Sequence, residues 1–365
     1  MPQYTGDASL FWKKKEYISF LLSILVIFVH MSTFSQYGEG EGAVTFINDH
    51  VSYFLKESLT RFAVPMFFIL SGIAFYKDYD DKQYVRKIKS RVSTLVIPYL
   101  LWNTIWMLFD IVCSYTFISN YFVGRKPFEL TVVNVLLAIF LRKRNLPFWF
   151  ILDLILFAVA APLIHLLIRN KYVGIASAAA IAVLAHFGIG LPNAVFYSAT
   201  AILFYMIGAI IGKHFFGLVA KKARKGLQWG SLAFLVLYVI LKNLFPPAEL
   251  TSDSLLTVTV YVLCAFALWN TVDLFIDRIK PRALYRRSFA IFAIHLNLSA
   301  IITKLILILV SRDPWFAIPN FVLSVTLTVL IINYTCAFME RFTPRIYGVL
   351  MGNRTRKKKR EPTPA

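Results

Sequence analysis

The sequence predicts an all-α membrane protein, a polytopic bundle of about ten transmembrane helices. Of its 365 residues, 58% are hydrophobic and only 16% are charged, which is more apolar surface than a soluble protein of this length can cover. Many apolar runs reach the roughly 20 residues that a helix needs to cross a bilayer. The basic residues cluster between alternate runs, as the positive-inside rule requires of cytoplasmic loops.

Apolar runs bounded by charges, glycine or proline define the predicted spans. With the N-terminus inside, nearly all basic segments fall on the inner side, so we predict that both termini are cytoplasmic. The first run lacks a small-residue cleavage site, so it is predicted to be retained as a helix. The spans are placed at 17–36, 60–76, 92–119, 147–168, 172–188, 194–212, 227–246, 254–276, 288–311 and 315–339.

Two segments fall outside this pattern. Residues 130–141 are apolar but too short to span, which predicts a surface or re-entrant helix. The basic residues on either side of it suit lipid headgroups, or a basic lip around an acidic or phosphate-bearing acceptor. Residues 1–340 are predicted to form one transmembrane domain, and residues 341–365 a basic cytoplasmic tail, disordered on the anionic inner leaflet. The basic residues that flank the segment 130–141 are Arg125, Lys126, Arg142, Lys143 and Arg144.

The composition also excludes several classes of function. The net charge of +20 is explained by the inner loops, so no nucleic-acid partner is predicted. Cys113, Cys264 and Cys336 lie within apolar runs, where cysteine behaves as a small hydrophobe, and we draw no redox inference from them. No Cys/His spacing indicates a metal site and no glycine-rich phosphate loop is present, so no tightly bound cofactor is predicted.

A histidine near the end of the first apolar run is the first candidate for chemistry. An ionisable residue inside a span is energetically expensive, and His30 lies about 22 Å beyond the lysines that precede the run, near the outer boundary. Arg61, Asp110, Asp153 and Trp149 fall at a similar depth on three other spans, which predicts a polar pocket open to the outside. The alternatives are an interface histidine bonded to a carbonyl, a snorkelling arginine and carboxylates that pair with basic residues.

The remaining histidines give weaker signals. His295 lies near the middle of the predicted span 288–311, where it either belongs to a polar site or fills a packing defect. Four others lie in loops or at span ends, and no role is assigned to them: His50, His165, His186 and His214.

Several motifs, in order along the chain, resemble the acyltransferase-3 family. The first run with its late histidine resembles the family's opening helix, and RFAVPMFFILSGI, with Ser71 and Gly72, resembles its second span. RVSTLVIPYLLW, beginning at Arg91, resembles the basic loop that leads into a Pro-Tyr helix. Further along the chain, two more segments resemble the family's pattern: LPFWFILDLILFAVAAPLI and SFAIFAIHLN. The resemblance covers essentially the whole chain and is closest to the O-acetyltransferases of surface polysaccharides and their lipid-linked precursors.

The resemblance implies transfer of an acyl group, with acetyl expected and succinyl left open. The donor is then cytoplasmic acyl-CoA and the acceptor a sugar hydroxyl of a surface polysaccharide or lipid-linked glycan, at the inner membrane of the cell. His30 acts as general base or nucleophile, and Arg61 stabilises the oxyanion or holds the acceptor. Supporting roles fall to Asp153, Asp110, Trp149, His295 and Ser71.

Two positions depart from the family's pattern on the side where acyl-CoA arrives. Many members carry an arginine eleven residues before the first-span histidine, where this chain has Ser19. The Arg-x-x-Arg motif before the Pro-Tyr helix keeps Arg91 but has Thr94 as its second member. Lys87, Lys89 and the lysines before the first run are the expected replacements for donor binding.

Two alternatives to this enzyme stay open from the sequence. A transporter or flippase for a glycan or lipid intermediate also fits many spans with intramembrane polar groups, although the repeat symmetry of many transporters is not evident. A non-catalytic relative of the family is the third hypothesis, because of the changes at Ser19 and Thr94.

Overall fold

A computed structural model describes residues 8–37, 42–116, 128–141, 145–189, 200–245 and 254–353. Every regular element in these ranges is helical, which confirms the predicted all-α class. Two π-helical turns, Phe54–Ser58 and Val92–Val96, and several 3₁₀ turns join the α-helices. The α-helices are α1 (Ala8–His30), α2 (Thr33–Gln36), α3 (Ala43–Tyr53), α4 (Ala63–Tyr76), α5 (Tyr84–Arg91), α6 (Ile97–Tyr115), α7 (Val132–Phe140), α8 (Trp149–Val159), α9 (Ala161–Ile168), α10 (Lys171–His186), α11 (Ala201–His214), α12 (Phe216–Val219), α13 (Lys225–Leu244), α14 (Leu255–Thr271), α15 (Ser288–Leu309), α16 (Ala317–Phe342) and α17 (Pro344–Leu350).

The number of membrane spans is lower than predicted. Within the described residues, seven helices are long and apolar enough to cross a membrane, or eight if the bent pair Leu146–Val159 and Ala161–Ile168 is one span. Two of the ten predicted spans correspond to α10 and α11, which are about 24 and 21 Å long against a hydrocarbon core of about 30 Å. Residues 194–199 of the predicted sixth span lie outside the described residues. The prediction of about ten spans was therefore too high.

The chain divides into two compact units. The first comprises residues 1–81 and 161–333, with α1–α4, α9–α15 and most of α16. The second comprises residues 82–160 and 334–365, with the end of α16, α5–α8 and α17. Helix α17 continues the ordered chain past residue 340, where the tail was predicted to begin. Residues 354–365 of that tail lie outside the described residues.

In the first unit, α4 and α11 pack backbone to backbone. A Cβ atom at Gly72 would overlap the carbonyl oxygen of Tyr205, and one at Gly208 would overlap that of Ile69. At Gly212, one turn after Gly208, a Cβ atom would lie 2.7 Å from the carbonyl oxygen of Ile73. Such a small-xxx-small stripe lets two membrane helices approach closely, so that van der Waals contact holds them together. The glycine of the Ser-Gly motif thus has a packing role, and it anchors the helix that follows Arg61.

In the second unit, α7 packs against α6. Tyr99 donates its hydroxyl hydrogen to the Phe140 carbonyl at 2.8 Å, and Asn103 donates from Nδ2 to the Ile139 carbonyl at 3.0 Å. At its start, α7 is capped by Thr131. A nine-residue helix therefore occupies the segment for which a surface or re-entrant helix was predicted. The basic residues at 125, 126 and 142–144 lie outside the described residues.

Candidate active site

The register between α1 and α15 brings two histidines together. Ser23 Oγ donates a hydrogen bond to the Ser288 carbonyl at 3.2 Å. Seven residues further along each helix, the rings of His30 and His295 have centroids 5.4 Å apart. The two helices therefore run parallel. Because seven residues make about two helical turns, each serine shares a face with the histidine that follows it.

The hydrogen bonds of His295 fix its tautomer. The side chain is completely buried, and Nδ1 lies 3.1 Å from the Ile291 carbonyl oxygen and 2.9 Å from that of Phe292. Since carbonyl oxygens only accept, Nδ1 carries the hydrogen and Nε2 keeps a free lone pair. Within the described residues, Nε2 has no hydrogen-bond partner. A buried acceptor left in that state costs about 1–3 kcal/mol, so a group that can satisfy it is expected in the working protein.

His30 ends α1 and is half-buried. No hydrogen bond reaches its ring from the part of the chain that the structure describes, so the alternative of a histidine bonded to a neighbouring carbonyl is not what is found. The positive charges of Lys56 and Arg61 both act on it. The predicted neighbourhood of His30 and Arg61 is therefore present in the first unit.

Arg61 has a partner that the sequence analysis missed. Its Nε and Nη2 donate to the two carboxylate oxygens of Glu57, and both side chains remain partly exposed, 46% for Arg61 and 33% for Glu57. The spacing of four residues is the signal that was available, since it places oppositely charged side chains on one helical face. Arg61 is thus an arginine held by a carboxylate beside His30, not a snorkelling side chain without a partner.

Arg61 and Glu57 also interact electrostatically with Lys242, near the end of α13. Lys242 Nζ donates to the Tyr238 hydroxyl at 3.4 Å and lies 5.5 Å from the ring centroid of Tyr261. This mixed cluster of cations and tyrosines was not predicted from the sequence. Tyrosines combine an apolar face with a hydroxyl group, which suits the binding of a sugar.

Four other candidate residues occupy separate positions in the fold. Ser71 is half-buried on α4, directly before Gly72. Asp110 on α6 and Asp153 on α8 are buried, and Trp149 is the half-buried first residue of α8. These last three belong to the second unit, so their convergence with His30 stays a prediction.

The basic residues expected to bind the donor lie on α5, also in the second unit. Arg91 and Lys87 are half-buried, and Lys89 is exposed. Of the two departures from the family's pattern, Ser19 is buried within the first unit and its carbonyl accepts from Ser23 at 2.8 Å. Donor binding by these residues stays a prediction.

Lys14, near the start of α1, is not free to bind a donor. Its Nζ lies 2.8 Å from Asp273 Oδ1, and both side chains are completely buried. The ammonium also sits 4.3 Å from the ring centroid of Trp269, and the second oxygen of Asp273 accepts from the backbone N–H of Ala223 at 2.9 Å. The expectation that all three lysines before the first span supply charge to acyl-CoA is therefore wrong for this one.

A second cluster, in which His165 is buried and Asp81 is exposed, involves a histidine to which the sequence analysis gave no role. His165 Nδ1 lies 2.8 Å from Asp81 Oδ1, and Lys213 Nζ lies 2.5 Å from His165 Nε2. The ring of Tyr79 packs edge-on against the imidazole at 4.9 Å. Both ring nitrogens of His165 are thus occupied, and the cluster ties α9 and α11 to the turn that follows α4.

Among the described residues, no group of three or more His, Cys, Asp or Glu side chains is arranged to hold a metal ion. Cys113, Cys264 and Cys336 are buried, in keeping with their interpretation as small core hydrophobes.

A family model described as an acyltransferase domain matches residues 16–333. The chain belongs to the acyltransferase-3 family. Its several helices that are long and apolar enough to cross a membrane make it a multi-pass membrane protein. The match covers His30, Arg61 and His295 together.

One curated relative is the succinoglycan biosynthesis protein ExoH of Rhizobium meliloti (strain 1021). It is 26% identical over 195 residues, which make up 52% of this chain and 50% of that protein. The chain thus spans about half the length of this relative. No solved structure matches the chain at a significant level.

Proposed function

We propose that this acyltransferase moves an acyl group, expected to be acetyl, from cytoplasmic acyl-CoA to a hydroxyl group of a surface polysaccharide or its lipid-linked precursor. The proposal places it in the inner membrane with both termini in the cytoplasm. The role of the relative in succinoglycan biosynthesis supports a glycan acceptor. The observation that carries the mechanism is the pairing of His30 with a buried histidine beside Arg61.

In this mechanism His30 is the general base. The acceptor oxygen attacks the thioester carbonyl carbon while His30 removes the hydroxyl proton, which forms the C–O bond of a tetrahedral intermediate. The intermediate then collapses, the C–S bond breaks, and the proton passes from His30 to the departing sulfur. Imidazole suits both transfers because its unperturbed pKa lies near neutral pH. A covalent acyl-imidazole is the alternative route and predicts acyl-enzyme when acceptor is withheld.

Arg61 stabilises the negative charge that develops on the carbonyl oxygen. A guanidinium has five N–H donors, and its two bonds to Glu57 leave three for an oxyanion or for the acceptor. The fork to Glu57 holds the cation in place before the reaction, and such preorganisation makes electrostatic stabilisation effective. The nearby tyrosines, Tyr238 and Tyr261, provide aromatic faces for the sugar.

The donor is attracted by positive charge on the cytoplasmic side. Acyl-CoA carries several phosphate charges, and Arg91, Lys87 and Lys89 lie within one short amphipathic helix. Arginine binds phosphate through paired hydrogen bonds and lysine through its point charge. Removal of these side chains is expected to raise the KM for acyl-CoA more than it lowers kcat.

The proposal is tested with purified protein in lipid nanodiscs, supplied with acetyl-CoA and a glycan acceptor. Release of free CoA thiol and the mass of the glycan are both followed. His30→Ala is expected to lower turnover by about 10²–10⁴-fold, the usual contribution of a general base. The matched control is His50→Ala, because His50 is an exposed histidine whose Nδ1 bonds the Phe46 carbonyl. Near-normal acylation by His30→Ala, or glycan transport without consumption of thioester, would overturn the proposal.

A further inference from the structure

We propose that His295 is a positioning residue for His30. In this arrangement Nε2 of His295 accepts a hydrogen bond from one ring nitrogen of His30, and the other ring nitrogen of His30 is left with its lone pair toward the acceptor hydroxyl. The inference rests on the proposed function, in which His30 is the general base. It makes specific, for His295, the supporting role that the sequence analysis gave to this residue together with Asp110 and Asp153.

The tautomer of His295 supports this direction of donation. Its Nδ1 hydrogen is directed to the carbonyl oxygens of Ile291 and Phe292, the two residues that lie one turn earlier on α15. Nε2 is consequently an acceptor, and it is fully buried without a partner among the described residues. A buried acceptor in this state calls for a donor, and the His30 ring is the neighbouring side chain that can supply one.

The distance between the rings fits a hydrogen bond through their edges. An N–H···N bond of about 2.9 Å places the centres of two imidazole rings about 5 Å apart. The rings of His30 and His295 have centroids 5.4 Å apart and an angle of 40° between their planes. The Ser23–Ser288 contact two turns earlier fixes the register that keeps the rings at this distance.

The charge balance explains why the partner is neutral. During transfer one proton leaves the acceptor hydroxyl, resides on His30 and then binds the sulfur of the departing thiol, so His295 neither gains nor loses a proton. A buried carboxylate in its place would have to be stripped of water, whereas a neutral imidazole avoids most of that cost. Lys56 and Arg61, the cations that act on His30, stay in place throughout.

Two substitutions of similar size separate positioning from packing. The amide oxygen of glutamine can reach the place of Nε2, whereas asparagine reaches only the place of Nδ1 and leaves the Nε2 position empty. We expect His295→Asn to lower kcat by about 10²-fold and His295→Gln by less than about 10-fold, with KM for both substrates nearly unchanged. The matched control is Ser299→Ala, because Ser299 is buried one turn further along α15 and, among the described residues, its hydroxyl group bonds only the Leu296 carbonyl.

The pH profile supplies a readout that a packing defect would not change. Loss of the acceptor removes stabilisation of protonated His30, so the acid limb of kcat/KM should move to lower pH in His295→Asn and stay in place in His295→Gln. Equal losses in both variants with an unmoved acid limb would overturn the inference, as would full activity of His295→Asn. If His30→Ala is inactive while His295→Asn is normal, only this inference fails. An active His30→Ala removes the proposed function as well.

Discussion

Each end of α1 places an ionisable side chain against another part of the fold, and the two contacts differ. At the Lys14 end, an ammonium group meets a carboxylate and an aromatic ring, so opposite charges compensate each other. At the His30 end, about 24 Å away, an imidazole meets another imidazole whose Nε2 is unsatisfied. A compensated pair can only hold helices together. An acceptor that the fold leaves free is available for chemistry.

The difference also separates stability from activity. The buried Lys14–Asp273 pair links α1 to the turn after α14, and loss of one partner strands a charge inside the bundle. Both imidazoles of the His30–His295 pair are neutral before the reaction. Removal of one ring therefore leaves no unpaired charge in the bundle, and the fold should stay stable. Substitutions at one end should therefore change unfolding, and substitutions at the other should change turnover.

The largest expected effect is that of Lys14→Ala on stability. The substitution leaves the Asp273 carboxylate buried without its cation, which is expected to lower the free energy of unfolding by about 3–5 kcal/mol. Denaturant unfolding in mixed micelles measures this value. Turnover of the fraction that folds should stay within about 3-fold of the unsubstituted protein. If Lys14→Ala lost most of its turnover but kept its stability, the proposed difference between the Lys14 and His30 ends of α1 would be wrong.

A matched control for this prediction is Asp277→Asn. The Lys222 ammonium lowers the pKa of Asp277, but the carboxyl group is fully exposed. Because that pKa is lowered, the pair contributes at neutral pH, and the contribution is lost as pH falls through the lowered value. Solvent screens an exposed pair, so this variant should unfold like the unsubstituted protein.

Arg61→Ala should change turnover and leave stability nearly intact. Removal of a preorganised donor to an oxyanion is expected to lower kcat by about 10²–10³-fold, whereas the half-exposed pair with Glu57 contributes about 1 kcal/mol or less to stability. The rate of thiol release measures kcat, and denaturant unfolding curves measure stability. Normal kinetics in this variant would remove Arg61 from the site. Glu57→Gln, which keeps one acceptor for the guanidinium, should show a smaller loss.

Among the changes at the Lys14 end, the smaller net effect is expected from replacing the whole pair. The double variant Lys14→Met, Asp273→Leu removes both charges and keeps apolar volume, so it should recover most of the stability lost in Lys14→Ala and lie within about 1–2 kcal/mol of the unsubstituted protein. The same unfolding assay applies. If the double variant were no more stable than Lys14→Ala, the pair would stabilise the fold by more than mutual neutralisation of its two charges.

Local sequence signals predicted the parts of the site that depend on a single helix. His30 was found because a histidine in an apolar run is expensive, and α15 begins at Ser288, the residue predicted. The partner of Arg61 could have been found from the interval to Glu57, since four residues make about one turn. These features need no knowledge of how helices pack.

The remaining features depend on contacts between distant parts of the chain. His295 was placed near the middle of its span, and only the Ser23–Ser288 contact shows that the residue lies level with His30. The Lys14–Asp273 pair joins residues on different helices, and no local period encodes it. The number of spans was overestimated because hydropathy alone does not set helix length, and α10 and α11 are too short.

The equal intervals on α1 and α15 limit how this protein can change. Deletion of one residue between Ser23 and His30 would rotate the imidazole by about 100° and draw it back by about 1.5 Å, away from its partner. Tilting of both helices together in a thinner or thicker bilayer preserves the spacing between neighbours. The paired rings should therefore tolerate membranes of different thickness, while insertions and deletions within these two helices abolish their contact.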